Sequence, residues 1–317
     1  MFMILLACTV YDDSTEISLG EDTSVLMDTS DSIDTSDSID TSTQNDSDPD
    51  NDPAGSLNDF LETGPYVVST SSDSASVSDC SSMEYVVYSP EGVENPPVVI
   101  LGHGFARGAD RMSGHATHFA SWGIEVLTPT LCHYNILTGV NHEKNGQNLV
   151  ELAEHYGALQ PIYAGQSAGG LAAIIAASLD SDTLGVLGLD ATDTMDSLGQ
   201  NYAGGVRVPA FALVAEPSSC NSENNGVSLF SMMDTRQILR VTSSDHCDYE
   251  SPTDFACEGF CSNSTNSFSD EEIRPVIIQL ATAAIMDIAS LNSGGIQYWS
   301  GQNINELISM GMVQEIP

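Results

Sequence analysis

Basic residues are scarce. The 317-residue chain has 7 Lys plus Arg against 45 Asp plus Glu, for a formal net charge of -38 at pH 7. Such a surface repels nucleic acid and anionic lipid headgroups, so no nucleic-acid partner is expected. No apolar run reaches the roughly 18 residues that a transmembrane helix requires. Gly102-His103-Gly104 lacks the third glycine of a dinucleotide fingerprint, and no cofactor is expected. His115 and His118 have the i, i+3 spacing of a metal clip but no third ligand, so they read as a helix-surface pair and no metal is expected.

The first 63 residues differ from the rest. MFMILLAC, residues 1–8, lacks a basic segment in front of its apolar run, yet its end resembles the lipobox of bacterial lipoproteins. That resemblance implies a lipid anchor at Cys8 as the chain's one attachment to a membrane. Residues 9–63 read as an extended acidic linker, with the repeat DTSDSI-DTSDSI-DTS between Asp28 and Ser42. Fourteen acids and no base lie between Thr9 and Ser56, too little apolar surface to offset chain entropy. Without Cys8, six cysteines remain: Cys80, Cys132, Cys220, Cys247, Cys257 and Cys261. An even number suits three disulfides and an oxidising, extracytoplasmic setting, either secreted or in the cell envelope.

Residues 64–317 read as one folded domain. Short apolar runs bounded by Gly or Pro alternate with helix-like segments. The runs are PPVVILGHG at 96–104, GIEVLTPTL at 123–131, QPIYAG at 160–165, TLGVLGLD at 183–190, VPAFALVAE at 208–216 and QILRVTSS at 237–244. Ala109–Trp122, Asn141–Tyr156, Ala168–Ser178 and Asp270–Leu291 are helix-like. This pattern predicts an α/β domain whose mostly parallel sheet is covered on both faces, with EYVVYSP, residues 84–90, as an antiparallel edge. In such sheets ligands bind at the carboxyl ends of strands, which makes the residues after each run the candidates.

After the third run comes Gly165-Gln166-Ser167-Ala168-Gly169-Gly170, leading directly into the apolar helix. A serine there can stand on a sharp strand-to-helix turn only if the residues two positions either side have no side chains to collide. Ser167 is therefore a candidate nucleophile. The backbone N–H groups of Ala168 and of Phe105, which follows the first run, are candidates for an oxyanion hole. A serine hydroxyl needs a base, and His246 is the single His downstream of Ser167. Asp190 and Glu216 each end a strand on the correct side and compete as the orienting acid, with Asp193 and Asp248 as lesser candidates.

The order of these motifs resembles the α/β-hydrolase superfamily, and within it the branch of chlorophyllases and cutinase-like poly(ethylene terephthalate) hydrolases. GHGFARG at 102–108, FASWGIEVLTPTL at 119–131, NHEKNGQNLVEL at 141–152, GLDATD at 188–193 and HCDYESP at 246–252 carry the likeness, which spans about Glu84 to Leu291. It implies a serine carboxylic-ester hydrolase with a Ser167, His246 and acid triad. The chlorophyllase-like GLDATD favours Asp190. The cutinase-like acid would fall at 218, where this chain has serine, which leaves Glu216 second. A Cys220–Cys247 disulfide is expected, tying the loop after the fifth run to the loop of the base. Eighteen residues separate Asp190 from Pro209, too few for a helical cap, so an open cleft and a bulky or polymeric ester are expected, with the protein a monomer. The alternatives are a surface-binding lipoprotein without activity on a hydrolase scaffold, and a serine hydrolase of another class, an amidase or peptidase.

Overall fold

The computed structural model describes residues 57–135, 139–233, 236–261, 267–290, 298–299 and 302–317. The lipid anchor at Cys8 and the DTSDSI repeat lie outside the described residues.

In chain order the elements are β1 (Val68–Val77), β2 (Cys80–Pro90), β3 (Val98–Gly102), α1 (Ser113–Ser121), β4 (Glu125–Pro129), β5 (Tyr134–Asn135), β6 (Gly139–Val140), α2 (His142–Tyr156), β7 (Ile162–Gln166) and α3 (Ala168–Leu179). They continue with β8 (Gly185–Leu189), α4 (Gln200–Ala203), β9 (Ala210–Val214), α5 (Val227–Phe230), β10 (Arg236–Val241), α6 (Phe255–Cys261), α7 (Asp270–Ser290), α8 (Gln302–Ser309) and β11 (Val313–Glu315). Nine strands form one sheet in the order β1-β2-β4-β3-β7-β8-β9-β10-β11, and β5 and β6 form a separate hairpin. The six apolar runs are β4, β3, β7, β8, β9 and β10, and each pairs in parallel with its neighbour in that series. The protein is thus a mixed α/β structure built on a large, mostly parallel sheet.

Alternation along the buried strands separates two cores. Val99, Leu101, Ile162, Ala164, Leu187 and Leu189 face the side of α1 and α7, where Phe119, Leu280 and Ala284 are buried. Ile100, Tyr163 and Val186 point the other way, onto Leu149, Leu152, Ile174 and Ile175 of α2 and α3. Both faces are covered, which is why these strands carry continuous apolar sequence. α2 starts on Asn141, whose side chain accepts from Lys144 N–H, and ends on Gly157 at φ 83°. α7 is long and apolar enough by composition to cross a membrane, but here much of it is buried against the sheet and α1.

Two features depart from the sequence expectation. EYVVYSP lies within β2, antiparallel to β4, but is not the edge, because β1 pairs along its outer side. β1 reads VSTSSDSASV and is mostly exposed, so it lacks the apolar pattern that marks the other strands. In addition, Leu57–Leu61, within the stretch expected as linker, forms a 3-10 turn. Its Phe60 is buried, with ring centroids 4.8 Å from Trp122 and 4.7 Å from Tyr298. Burying such a side chain stabilises by roughly 1.5–3 kcal/mol, enough to hold the turn on the domain.

Asp287 of α7 accepts from the backbone N–H of Tyr298 at 2.7 Å and of Trp299 at 3.2 Å. Burial pushes its carboxyl up from 3.8 to about 6, and the two backbone donors only partly oppose this. The folded state therefore binds a proton that the unfolded state releases, so this contribution to stability falls as pH rises from about 4 through about 6. Tm of the native chain relative to Asp287→Asn should fall by a few °C over that window in thermal unfolding. A constant difference would refute the assignment.

Candidate active site

β7 ends at Gln166, α3 begins at Ala168, and Ser167 between them takes φ 53° and ψ -119°. Close packing allows this turn. A Cβ on Gly165 would overlap the carbonyl of Gly169, and a Cβ on Gly169 would overlap the carbonyl of Gly102 at the end of β3. The strand, the turn and the helix meet backbone to backbone, which only glycine permits. Ser167 N–H donates to Leu189 O at 3.1 Å, and Ser167 O accepts from Thr192 N–H at 3.2 Å, fixing the turn to the end of β8. Gly165→Ala should cost about 1–3 kcal/mol in denaturant unfolding, since backbone rather than a mobile side chain must move. A midpoint unchanged from the native chain would contradict this packing.

The candidate base and the candidate acid meet. His246 Nδ1 lies 2.6 Å from Asp190 Oδ2, with both side chains buried. Asp190 follows β8 directly, at φ 45°. Its Oδ1 accepts from Ala215 N–H at 3.0 Å, and its Oδ2 from Asn221 Nδ2 at 3.2 Å. These donors fix the carboxylate in one orientation. His246 opens a 3-10 turn, His246–Tyr249, capped by Asp245, whose side chain accepts from Cys247 N–H at 2.8 Å.

The other three acids do not reach the imidazole. Glu216 Oε1 accepts from Ser243 N–H at 3.3 Å, and its Oε2 lies 3.9 Å from Arg240. Asp193 accepts from Thr194 and Gly199 N–H groups, bracing the loop before α4. Asp248 pairs with Arg274 at 2.9 Å and accepts from Asp245 N–H at 2.8 Å, closing the cap of the turn that carries His246.

Ser167 and His246 line one open cleft of about 500 Å³ together with Gly104, Phe105 and Gln166. Among the described residues, no hydrogen bond joins Ser167 Oγ to His246. Imidazole Nε2 instead faces Gln166 Nε2 at 3.2 Å, and the same amide nitrogen donates to His246 O at 3.3 Å. The carbonyl orients the amide NH2 toward the ring, so Nε2 is the acceptor and Nδ1–H donates to Asp190. This leaves the Nε2 lone pair directed toward the cleft. Catalytic hydrogen bonds commonly tighten only when substrate is bound.

The backbone N–H groups of Phe105 and Ala168 make no hydrogen bond among the described residues. His103, two residues before Phe105, is buried and accepts from Leu131 N–H at 3.0 Å, so its Nδ1 donates to Gly104 O at 2.8 Å. Burial lowers its pKa to about 4, which keeps it neutral. It is a structural tie that orients the turn carrying Phe105.

Arg107 and Glu250 were not among the sequence candidates. The Arg107 guanidinium pairs bidentately with Glu250 at 2.6 and 2.7 Å and reaches Asp254 at 3.0 Å. This joins the turn after β3 to the loop after His246. The two residues lie 143 positions apart, so only an alignment of covarying positions could have paired them.

The cysteines pair as Cys80–Cys132, Cys220–Cys261 and Cys247–Cys257, and such disulfides are consistent with an oxidising, extracytoplasmic environment. The expected Cys220–Cys247 bond is therefore corrected. α6 stands between those two cysteines, and one turn apart along it Cys257 and Cys261 meet Cys247 and Cys220 respectively. The two loops are still linked, but through the helix. His115 and His118 are not the surface pair expected: His115 is buried, and the two bond to different carbonyls, those of Tyr249 and Phe60.

No protein-family model matches the chain, and no curated protein matches it.

Proposed function

We propose that the protein is a serine carboxylic-ester hydrolase with an α/β-hydrolase fold. The observation that carries this reading is the buried 2.6 Å pairing of His246 with Asp190 in the cleft that also holds Ser167 on its strained turn. The parallel series β4-β3-β7-β8-β9-β10, with Ser167, Asp190 and His246 following β7, β8 and β10, supports the fold.

In this reading Ser167 Oγ attacks the ester carbonyl while His246 Nε2 takes its proton. The N–H donor of Gln166 yields its place on Nε2 to the serine hydroxyl. The oxyanion of the tetrahedral intermediate accepts from Phe105 and Ala168 N–H, at the positive end of α3. Collapse breaks the bond to the leaving alkoxide, which receives the proton from His246. Water then attacks the acyl-enzyme with His246 again as base, releasing the acid and restoring Ser167. Asp190 holds the tautomer and stabilises the imidazolium. The three disulfides are consistent with an enzyme that works in an oxidising, extracytoplasmic setting.

Rapid mixing with p-nitrophenyl acetate tests the reading. The expected result is a burst of p-nitrophenol equal to the enzyme present, followed by slower turnover. Neither burst nor turnover above the buffer rate would overturn it.

A further inference from the structure

The cleft beside Ser167 has a wall that is both apolar and covalently fixed. α6 carries Phe260, which lines the cleft yet is 82% exposed, and Phe105 on the turn after β3 is 42% exposed. Two aromatic side chains left in water beside a nucleophile mark a binding surface more than a core. α6 is no loose lid. Cys220–Cys261 and Cys247–Cys257 cross-link it to the loop after β9 and to the turn of His246. Asp254 holds its first turn by accepting from Ala256 and Cys257 N–H, and is itself paired with Arg107 and Arg111.

The charge of the cleft narrows the ligand. Arg107 is the one Lys or Arg that lines it among the described residues, and Glu250 and Asp254 occupy its guanidinium. A ligand carboxylate would meet no free cation there. It would also approach a chain of net charge -38.

Resting on the hydrolase reading, we propose that Phe260, held rigid on α6, determines specificity: with Phe105 it selects esters whose acyl or alcohol group is broad, apolar and uncharged, and the cleft rejects anionic ones. Because the wall does not move, selection does not require closure, and the ligand incurs little ordering cost.

Affinities measured on full-length protein carrying Ser167→Ala read the wall without turnover. Methyl 2-naphthoate and the 2-naphthoate anion serve as probes, followed by their fluorescence. Adding Phe260→Ala should weaken methyl 2-naphthoate about tenfold, the value of one lost aromatic contact with its buried area. Phe260→Trp should retain the affinity. Phe255→Ala, at the far end of α6 and 87% exposed, should change it less than about twofold, which separates the contact from general loosening of the helix. The anion should bind at least about tenfold more weakly than the ester. Equal affinity in the Phe260→Ala protein, or equal binding of anion and ester, would overturn the proposal. Cleavage of methyl 2-naphthoate by the Ser167 protein is read separately, and its absence counts against the hydrolase reading and not the wall.

Discussion

Ser167→Ala lowers kcat/KM for a p-nitrophenyl ester by about 10⁵- to 10⁶-fold, if the triad acts as a unit. The residual rate comes from substrate binding and from the donors of Phe105 and Ala168, which the substitution leaves in place. Stability should hardly change. Alanine has the same Cβ, so the backbone at φ 53° is no more strained than before, and no hydrogen bond from Ser167 Oγ is lost among the described residues. Initial rates and a thermal melt on the same preparation check both halves. A residual rate within tenfold of the native chain would place the chemistry elsewhere.

Asp190→Asn is the second large effect. The carboxylate is the acceptor for His246 Nδ1–H at 2.6 Å, and an amide there offers either a weaker acceptor or a competing donor. The imidazole then takes the other tautomer or turns from Ser167, and kcat should fall by about 10³- to 10⁴-fold. Asn221 and Ala215 N–H still meet the amide oxygen, so the protein stays folded. Glu216→Gln supplies the contrast, because Glu216 touches Ser243 and not the imidazole. Its kcat should stay within about threefold, as for a substitution away from the reacting groups. If Glu216→Gln proved the more damaging, the acid would have been misassigned.

What could be read from the sequence was local. The six buried strands announced themselves as apolar runs because both of their faces are covered. Gly165 and Gly169 flagged the turn because their spacing is the steric requirement of that turn. His246 followed from order alone. Strand ends alone left the acid open between Asp190 and Glu216, the resemblance of GLDATD ranked Asp190 first, and the 2.6 Å approach to the imidazole belongs to Asp190.

The remainder depended on tertiary contact. β1 is polar along most of its length, and its place at the sheet edge comes from backbone pairing with β2, which leaves no apolar signature. Cysteine spacing could not give the disulfides, because α6, a seven-residue helix without a buried face, decides which sulfurs meet. Gln166 carried no role in the sequence reading, yet its amide reaches Nε2 of His246. Arg107 and Glu250 belong to distant segments, and their ion pair fixes the turn of Phe105 against the loop that follows His246.

The central claim is that Ser167 is a nucleophile activated by His246. Incubation with a fluorophosphonate, followed by intact mass and peptide mapping, tests it most directly. The account predicts one phosphonyl group per chain, on the peptide containing Ser167, and a rate of labelling lowered at least about 10³-fold by His246→Ala. No adduct on the native chain, an adduct on another residue, or labelling that His246→Ala leaves unchanged would contradict it.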